Sequence, residues 1–258
     1  MYLDVLLENL KDSCDVLFIQ EPPWQIIRMA PSTLSPEGDE VIGAPKHPSW
    51  MTIVRPSGAG ADERPRTMAY VSTKLNPLRP SMRRDLIDHR DVLVLSLFAG
   101  GRTVNLMNVY SDDRHTAIFL LAEKAAVLPP FAYIGGDFNC HSKEWDPEVP
   151  HHRTVPILLL ETAAKLGTER TSPINPGPTF ISRNPDLHPS VIDLIFLPPS
   201  EILIAQPMRD LNLQGLSDHI LIGVMVDLGT NVPEIWRRSL KPASDEEKVF
   251  VTDIMLGI

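Results

Sequence analysis

Cysteine, long apolar runs and positive charge are all scarce in this 258-residue sequence, and each shortage closes off a class of protein. The two cysteines, Cys14 and Cys140, can build neither a disulfide framework nor a zinc cluster. They read as reduced thiols of an intracellular protein, and any metal must then sit on oxygen ligands. No uncharged apolar run is long enough to span a bilayer, and Met1-Tyr2-Leu3-Asp4 carries neither the basic region nor the apolar stretch of a secretory leader. The expectation is a soluble chain with no membrane partner. With 24 Lys and Arg against 33 Asp and Glu, the formal net charge of -9 excludes a protein that coats nucleic acid through a general basic field. It leaves a nuclease open, because a metal site itself gathers carboxylates and basic residues can still concentrate locally. The basic runs at 79–84 and 237–241 read as solvated loops. No internal repeat or low-complexity tract occurs.

What is present fits one globular domain of the larger α/β kind: 43% of residues are apolar and 22% charged. The 25 prolines are spread between apolar runs, as many loops on a β-rich scaffold would require. Leu3, Leu6, Leu7 and Leu10 recur at helical spacing, and a short buried strand follows from Asp15 to Gln20, stopped by Pro22-Pro23. A loop-rich stretch then runs to about His47. Strands are expected at 50–54, 68–72, 91–98 and 102–109, the last two joined by Ala99-Gly100-Gly101. Ile118, Leu121, Ala125 and Leu128 mark an amphipathic helix closed by Pro129-Pro130, and 131–134 reads as a strand entering Gly135-Gly136. A second helix is expected from an N-cap at Thr154, with Pro156 in its first turn, to Gly167. Strands return at 191–197 and 220–228. The fold class is α/β (α+β), with two mixed sheets packed together and helices outside. Residues 1–228 form the domain, and 229–258 read as a linker or tail.

Acidic and amide residues gather where strands end: Gln20-Glu21, Asn108-Val109-Tyr110, Asp137-Phe138-Asn139, Ile192-Asp193 and Ser217-Asp218-His219. Such oxygen donors suit a hard cation, Mg²⁺ or Mn²⁺, and favour phosphoryl chemistry over zinc hydrolysis. Strand alternation places Asp137 and Asn139 on one side of the chain, with Phe138 turned to the core. A histidine beside Asp218, with Asp193 free to pair with its ring, could carry a positive charge onto a phosphate.

Gln20-Glu21-Pro22-Pro23-Trp24, Gly135-Gly136-Asp137-Phe138-Asn139-Cys140-His141, Ser190-Val191-Ile192-Asp193-Leu194 and Ser217-Asp218-His219 resemble, in order and spacing, the motifs of the endonuclease/exonuclease/phosphatase superfamily. The Gln-Glu-Pro and Ser-x-Ile-Asp variants are most similar to endonuclease domains of non-LTR retrotransposons. The resemblance covers about residues 1–228 and implies a four-layer αββα sandwich. It implies Glu21 and Asp218 as metal ligands and Asp137 as the group that orients and deprotonates the attacking water. Asn139 would hold that water or the phosphate, His219 would meet the scissile phosphate with Asp193 behind it, and Tyr110 would contact the phosphate through its hydroxyl. Thr179, Ser190 and Ser217 would support these groups, while His141 and Trp145 read as structural.

The family opens with a strand whose asparagine braces the metal-binding glutamate. This sequence starts at the helix that follows, so a sheet short of that strand is expected, with unpaired backbone and apolar surface at the gap. Asn9, inside the helix, is not expected to substitute, and we read the departure as truncation. The implied activity is Mg²⁺-dependent nicking of DNA to leave a 3′-hydroxyl, in the nucleus, beside a reverse transcriptase in a longer parent chain. The open alternatives are an inert relic retained as a binding module, and a phosphodiesterase for small molecules or lipids.

Overall fold

A computed structural model describes residues 2–30, 39–56, 64–146, 149, 154–184, 186–213 and 217–228. The basic run at 237–241 and the tail from 229 lie outside the described residues. The chain runs α1 (Tyr2–Leu10), β1 (Val16–Gln20), β2 (Gln25–Ala30), β3 (Asp39–Gly43), β4 (Trp50–Val54), β5 (Thr67–Ser72), β6 (Ser81–Met82), β7 (Val92–Ala99), β8 (Arg102–Tyr110), α2 (Thr116–Lys124), β9 (Tyr133–Asp137), α3 (Thr154–Lys165), β10 (Glu169–Thr171), β11 (Asp193–Leu197), α4 (Ile202–Ala205), β12 (Met208–Asp210) and β13 (Leu221–Gly223).

Two sheets carry the fold. One is three-stranded and antiparallel, in the order β1-β5-β4; the other is six-stranded, in the order β10-β11-β9-β8-β7-β6. Within the larger sheet β8 and β9 pair in parallel through the α2 crossover, and the remaining pairs are antiparallel. β2-β3 and β12-β13 are separate hairpins.

Strand alternation sorts the side chains into layers. On β5, Met68 and Tyr70 face α1, where they meet Leu3, Leu6, Leu7 and Leu10. Ala69 and Val71 face the other way, against Leu93, Leu95 and Leu97 of β7 and Leu106 of β8. The alternate residues Val92, Val94, Met107 and Val109 turn outward to α2 and α3. Both sheets are thus covered on both faces, so β5 is buried along its whole length and reads as an unbroken apolar run. The order α1, small sheet, large sheet, α2 with α3 is the expected αββα sandwich. Among the described residues no helix is long and apolar enough to cross a membrane.

Several boundaries differ from the sequence reading. The stretch expected to be loop contains the β2-β3 hairpin. Its ladder is broken by a bulge between Ile26 and Arg28, and Ile26, Ile27 and Ile42 stay exposed, so no clean period marks it. Thr154 is the first residue of α3 rather than its cap. The last strand stops at Gly223 instead of Leu228, and β11 starts at Asp193, two residues late. The run at 79–84 is not a free basic patch: Arg83 pairs with Asp85 and Arg84 with Asp88.

Among the described residues β1 has one strand neighbour, β5. Its other edge opens on a cavity of about 1510 Å³, lined on one side by Phe18 and Ile19 and on the other by Leu221 and Ile222.

Candidate active site

Glu21 stands where β1 gives way to two prolines. It adopts a left-handed conformation, φ 45°, and its N–H donates to the Arg66 carbonyl at 2.7 Å. The Tyr110 hydroxyl at the end of β8 bonds to Glu21; burial first, and then that carboxylate, push the phenol's pKa up.

β9 delivers Asp137. The strand passes so close to β8 that a Cβ on Gly136 would stand 1.9 Å from the Val109 carbonyl, which explains the glycine at φ 143°. After Asp137 the chain turns rather than continuing extended. Asn139 has φ 44°, and its N–H donates to Asp137 Oδ1 at 2.9 Å. Its amide donates to Asp137 Oδ2 at 3.2 Å and to the Ser111 carbonyl at 2.8 Å. The two side chains meet as the alternation argument expects, through an Asx turn instead of a straight strand. Phe138 between them is fully buried.

Asp193 begins β11 and pairs in register with Asp137 across the ladder. Its carboxylate accepts from His219 Nδ1 at 2.9 Å, and His219 Nε2 lies 4.0 Å from Asp137 Oδ2. Thr179 fixes this meeting. Its hydroxyl accepts from the N–H groups of Ile192 and Asp193, at 3.0 and 2.9 Å, and its carbonyl accepts from Ile220 N–H at 2.7 Å. Ser190 acts through its main chain: its carbonyl accepts from Thr179 and Phe180 N–H, and the Phe180 ring packs 5.1 Å from the His219 ring. Ser217 Oγ accepts from His219 N–H at 3.0 Å. Asp218 is tied by its carbonyl to Ile181 N–H. Glu21, Tyr110, Asp137, Asn139, Ser190, Asp193, Ser217, Asp218 and His219 all line the cavity beside β1, whereas Thr179 lies buried behind it.

Charge is unbalanced here. Burial, and then the neighbouring Asp193 charge, push the Asp137 carboxyl up to about 7, against the pull of His219. For His219 burial opposes the positive form, but the Asp193 hydrogen bond and the charges of Asp193, Asp137 and Asp218 overcome it and push the ring up to about 9. Ligand atoms of Asp137, Asp193 and His219 lie within 4.8 Å of one another. An imidazolium has no free lone pair, however, and does not ligate a metal. The carboxylates around the cavity are a hard-oxygen set, and a divalent cation would offset both the burial of Asp137 and the neighbouring charge of Asp193.

Sequence reasoning missed how these residues are held in place: it noted Asn108 beside Tyr110 but not its partners, and it passed over Arg209 and Arg66. Asn108, wholly buried, donates from β8 to the carbonyls of Ile19 and Met68 and accepts from Gln20, so one amide joins the two sheets next to the site. Arg209 donates to the carbonyls of Asn175, Pro176 and Pro178, clasping the loop that presents Thr179. Arg66 pairs with buried Asp91. Nothing local in the sequence signals any of these pairings.

A family described as endonuclease-reverse transcriptase matches residues 104–223, a span that holds every candidate site residue except Glu21. No curated protein matches the sequence. The endonuclease domain of TRAS1, a telomere-specific non-LTR retrotransposon, superposes with a TM-score of 0.62 at 18% identity, over 89% of this chain and 93% of that one. An endonuclease/exonuclease/phosphatase family protein from Leptotrichia buccalis C-1013-b gives a TM-score of 0.53 at 12% identity, over 88% and 92%.

Proposed function

We propose, from the premise that this chain is built on the endonuclease/exonuclease/phosphatase fold and is similar within it to retrotransposon endonucleases, that it is a metal-dependent phosphodiesterase that nicks DNA and leaves a 3′-hydroxyl. The observation that carries this reading is the ordered row Asp193, His219, Asp137 on the cavity wall. It presents a held cation and a raised carboxyl a few ångströms apart, as in-line attack on a phosphate requires.

Asp137 orients the attacking water and accepts its proton, and the Asn139 amide fixes the position of that carboxylate. His219, kept charged by Asp193, faces the phosphate with Nε2 and stabilises the charge that develops there. The Tyr110 hydroxyl adds a second donor to the phosphate. Ser217 and Thr179 hold the His219 and Asp193 backbones, and Ser190 holds the Thr179 loop. Glu21 and Asp218 would hold Mg²⁺ or Mn²⁺, which supplies charge neutralisation on the phosphate oxygens. A reverse transcriptase in the same parent chain would use the 3′-hydroxyl as its primer, and the site of action would then be nuclear.

The test is nicking of supercoiled plasmid with Mg²⁺, with EDTA, and with Asp137→Ala and His219→Ala. Metal-dependent nicking that falls at least about a hundredfold in either variant is expected. A folded chain that never nicks would sink the nuclease. The net charge of -9 favours a second reading, a phosphodiesterase for a small or lipid phosphodiester, and hydrolysis of such substrates without plasmid nicking would select it.

A further inference from the structure

We propose that Arg66 is a positioning residue for this site, fixing the Tyr110 hydroxyl and the Glu21 main chain in one arrangement; the proposal rests on the phosphodiesterase reading above. Its guanidinium lies over the Tyr110 ring, 4.7 Å from the centroid. It is locked there by carboxylates: Nε and Nη2 donate to the two oxygens of Asp91 at 2.5 Å, and Nη2 also donates to Asp112 at 3.3 Å. Asp91 is 1% exposed. Asp112 is itself anchored, because its carboxylate accepts from Thr116 N–H and hydroxyl at the start of α2.

The main chain closes the loop. Tyr110 N–H donates to the Asp91 carbonyl at 2.9 Å, and Glu21 N–H donates to the Arg66 carbonyl at 2.7 Å. Arg66 therefore grips Tyr110 through its side chain and Glu21 through its backbone, while Tyr110 and Glu21 bond to each other. With Nε and Nη2 engaged by Asp91 and Asp112, the guanidinium is held flat on the ring face. A lysine cannot replace it, since an ammonium cannot fork onto both Asp91 oxygens while lying flat on a ring. Glu21 sits in a left-handed conformation that a glutamate does not favour, so an external tie is what keeps it there.

The experiment uses the full chain labelled with 3-fluorotyrosine, whose four tyrosines give four ¹⁹F signals, with Tyr110→Phe identifying the one of interest. Arg66→Ala strands a buried carboxylate and risks unfolding. The working variant is therefore Arg66→Gln with Asp91→Asn, which exchanges the ion pair for two amides, and Arg66→Lys is run beside it. The Tyr110 signal is expected to shift or broaden in both while those of Tyr70 and Tyr133 stay put. Nicking kcat should fall about tenfold to a hundredfold with KM within about twofold. An unmoved Tyr110 signal, parent-like kcat in the double variant, or a raised KM at constant kcat would each overturn the positioning role. A parent chain that never nicks would sink the phosphodiesterase reading instead, and the fluorine signals tell the two failures apart.

Discussion

At the scale of single residues, the charge on His219 is a contest between burial, which opposes it, and the carboxylates of Asp193, Asp137 and Asp218, which win. The pH dependence follows with its sign. Under the proposed mechanism, nicking is expected to rise as Asp137 loses its proton through about pH 7, a limb that a bound divalent cation would move lower, and to fall as His219 loses its charge through about pH 9. Asp193→Asn removes the main support of the imidazolium, so the alkaline limb is expected about one unit or more lower. Profiles of kcat/KM against pH check it, and a limb that stays in place in that variant would count against the pairing. Asp137, Asn139, Asp193, Asp218 and His219 could be singled out in the sequence because each is a polar residue beside an apolar strand run, at the end of β9, at the start of β11 or just before β13. Asn108 was noted at its strand end without its partners, and Arg66 was passed over. Their partners lie 88 residues away at Gln20 and 25 away at Asp91, and a buried amide or ion pair leaves no periodic trace.

At the scale of elements, most helices and strands were readable wherever burial left a pattern, as with the leucines of α1 and the apolar run of β7, which is buried on both faces. The turn between β7 and β8 shrank to Gly100-Gly101, at φ 56° and 84°, a pair suited to the twist of a two-residue hairpin. The β2-β3 hairpin escaped notice because its described apolar side chains, Ile26, Ile27, Met29 and Ile42, are exposed, so no alternation was required of them. β9 shows the opposite case, a strand that reads poorly because it carries two glycines but is fixed by the approach of β8. Gly136→Ala is expected to destabilise by well over about 1 kcal/mol, since the methyl and the carbonyl of Val109 cannot share one place and the backbone is strained besides. Urea unfolding of the parent and variant measures this. An unchanged midpoint would mean that the β8-β9 pair can spread freely.

For the whole molecule, the sandwich was legible and the pairing at its open edge was expected to be incomplete. Asp15 and Glu21 are hydrogen-bonded to Ser72 and Arg66, so the alternate residues Leu17 and Ile19 also bond to β5, and the N–H groups of Val16, Phe18 and Gln20 point to the cavity. Native-state hydrogen exchange is expected to be faster at those three amides than at Leu17 and Ile19. Equal protection along β1 would show that something fills the groove. The site itself spans this architecture. Glu21 follows the last residue of β1 in the small sheet, Tyr110, Asp137 and Asp193 belong to the large one, and Asn108 is an amide that crosses between them. A slip of one sheet past the other by a single residue, about 3.3 Å, would separate the carboxylates while leaving every helix and strand intact. On the proposed reading, catalytic competence would be a gauge of alignment between the two sheets, and mild denaturant is expected to silence nicking well before circular dichroism changes.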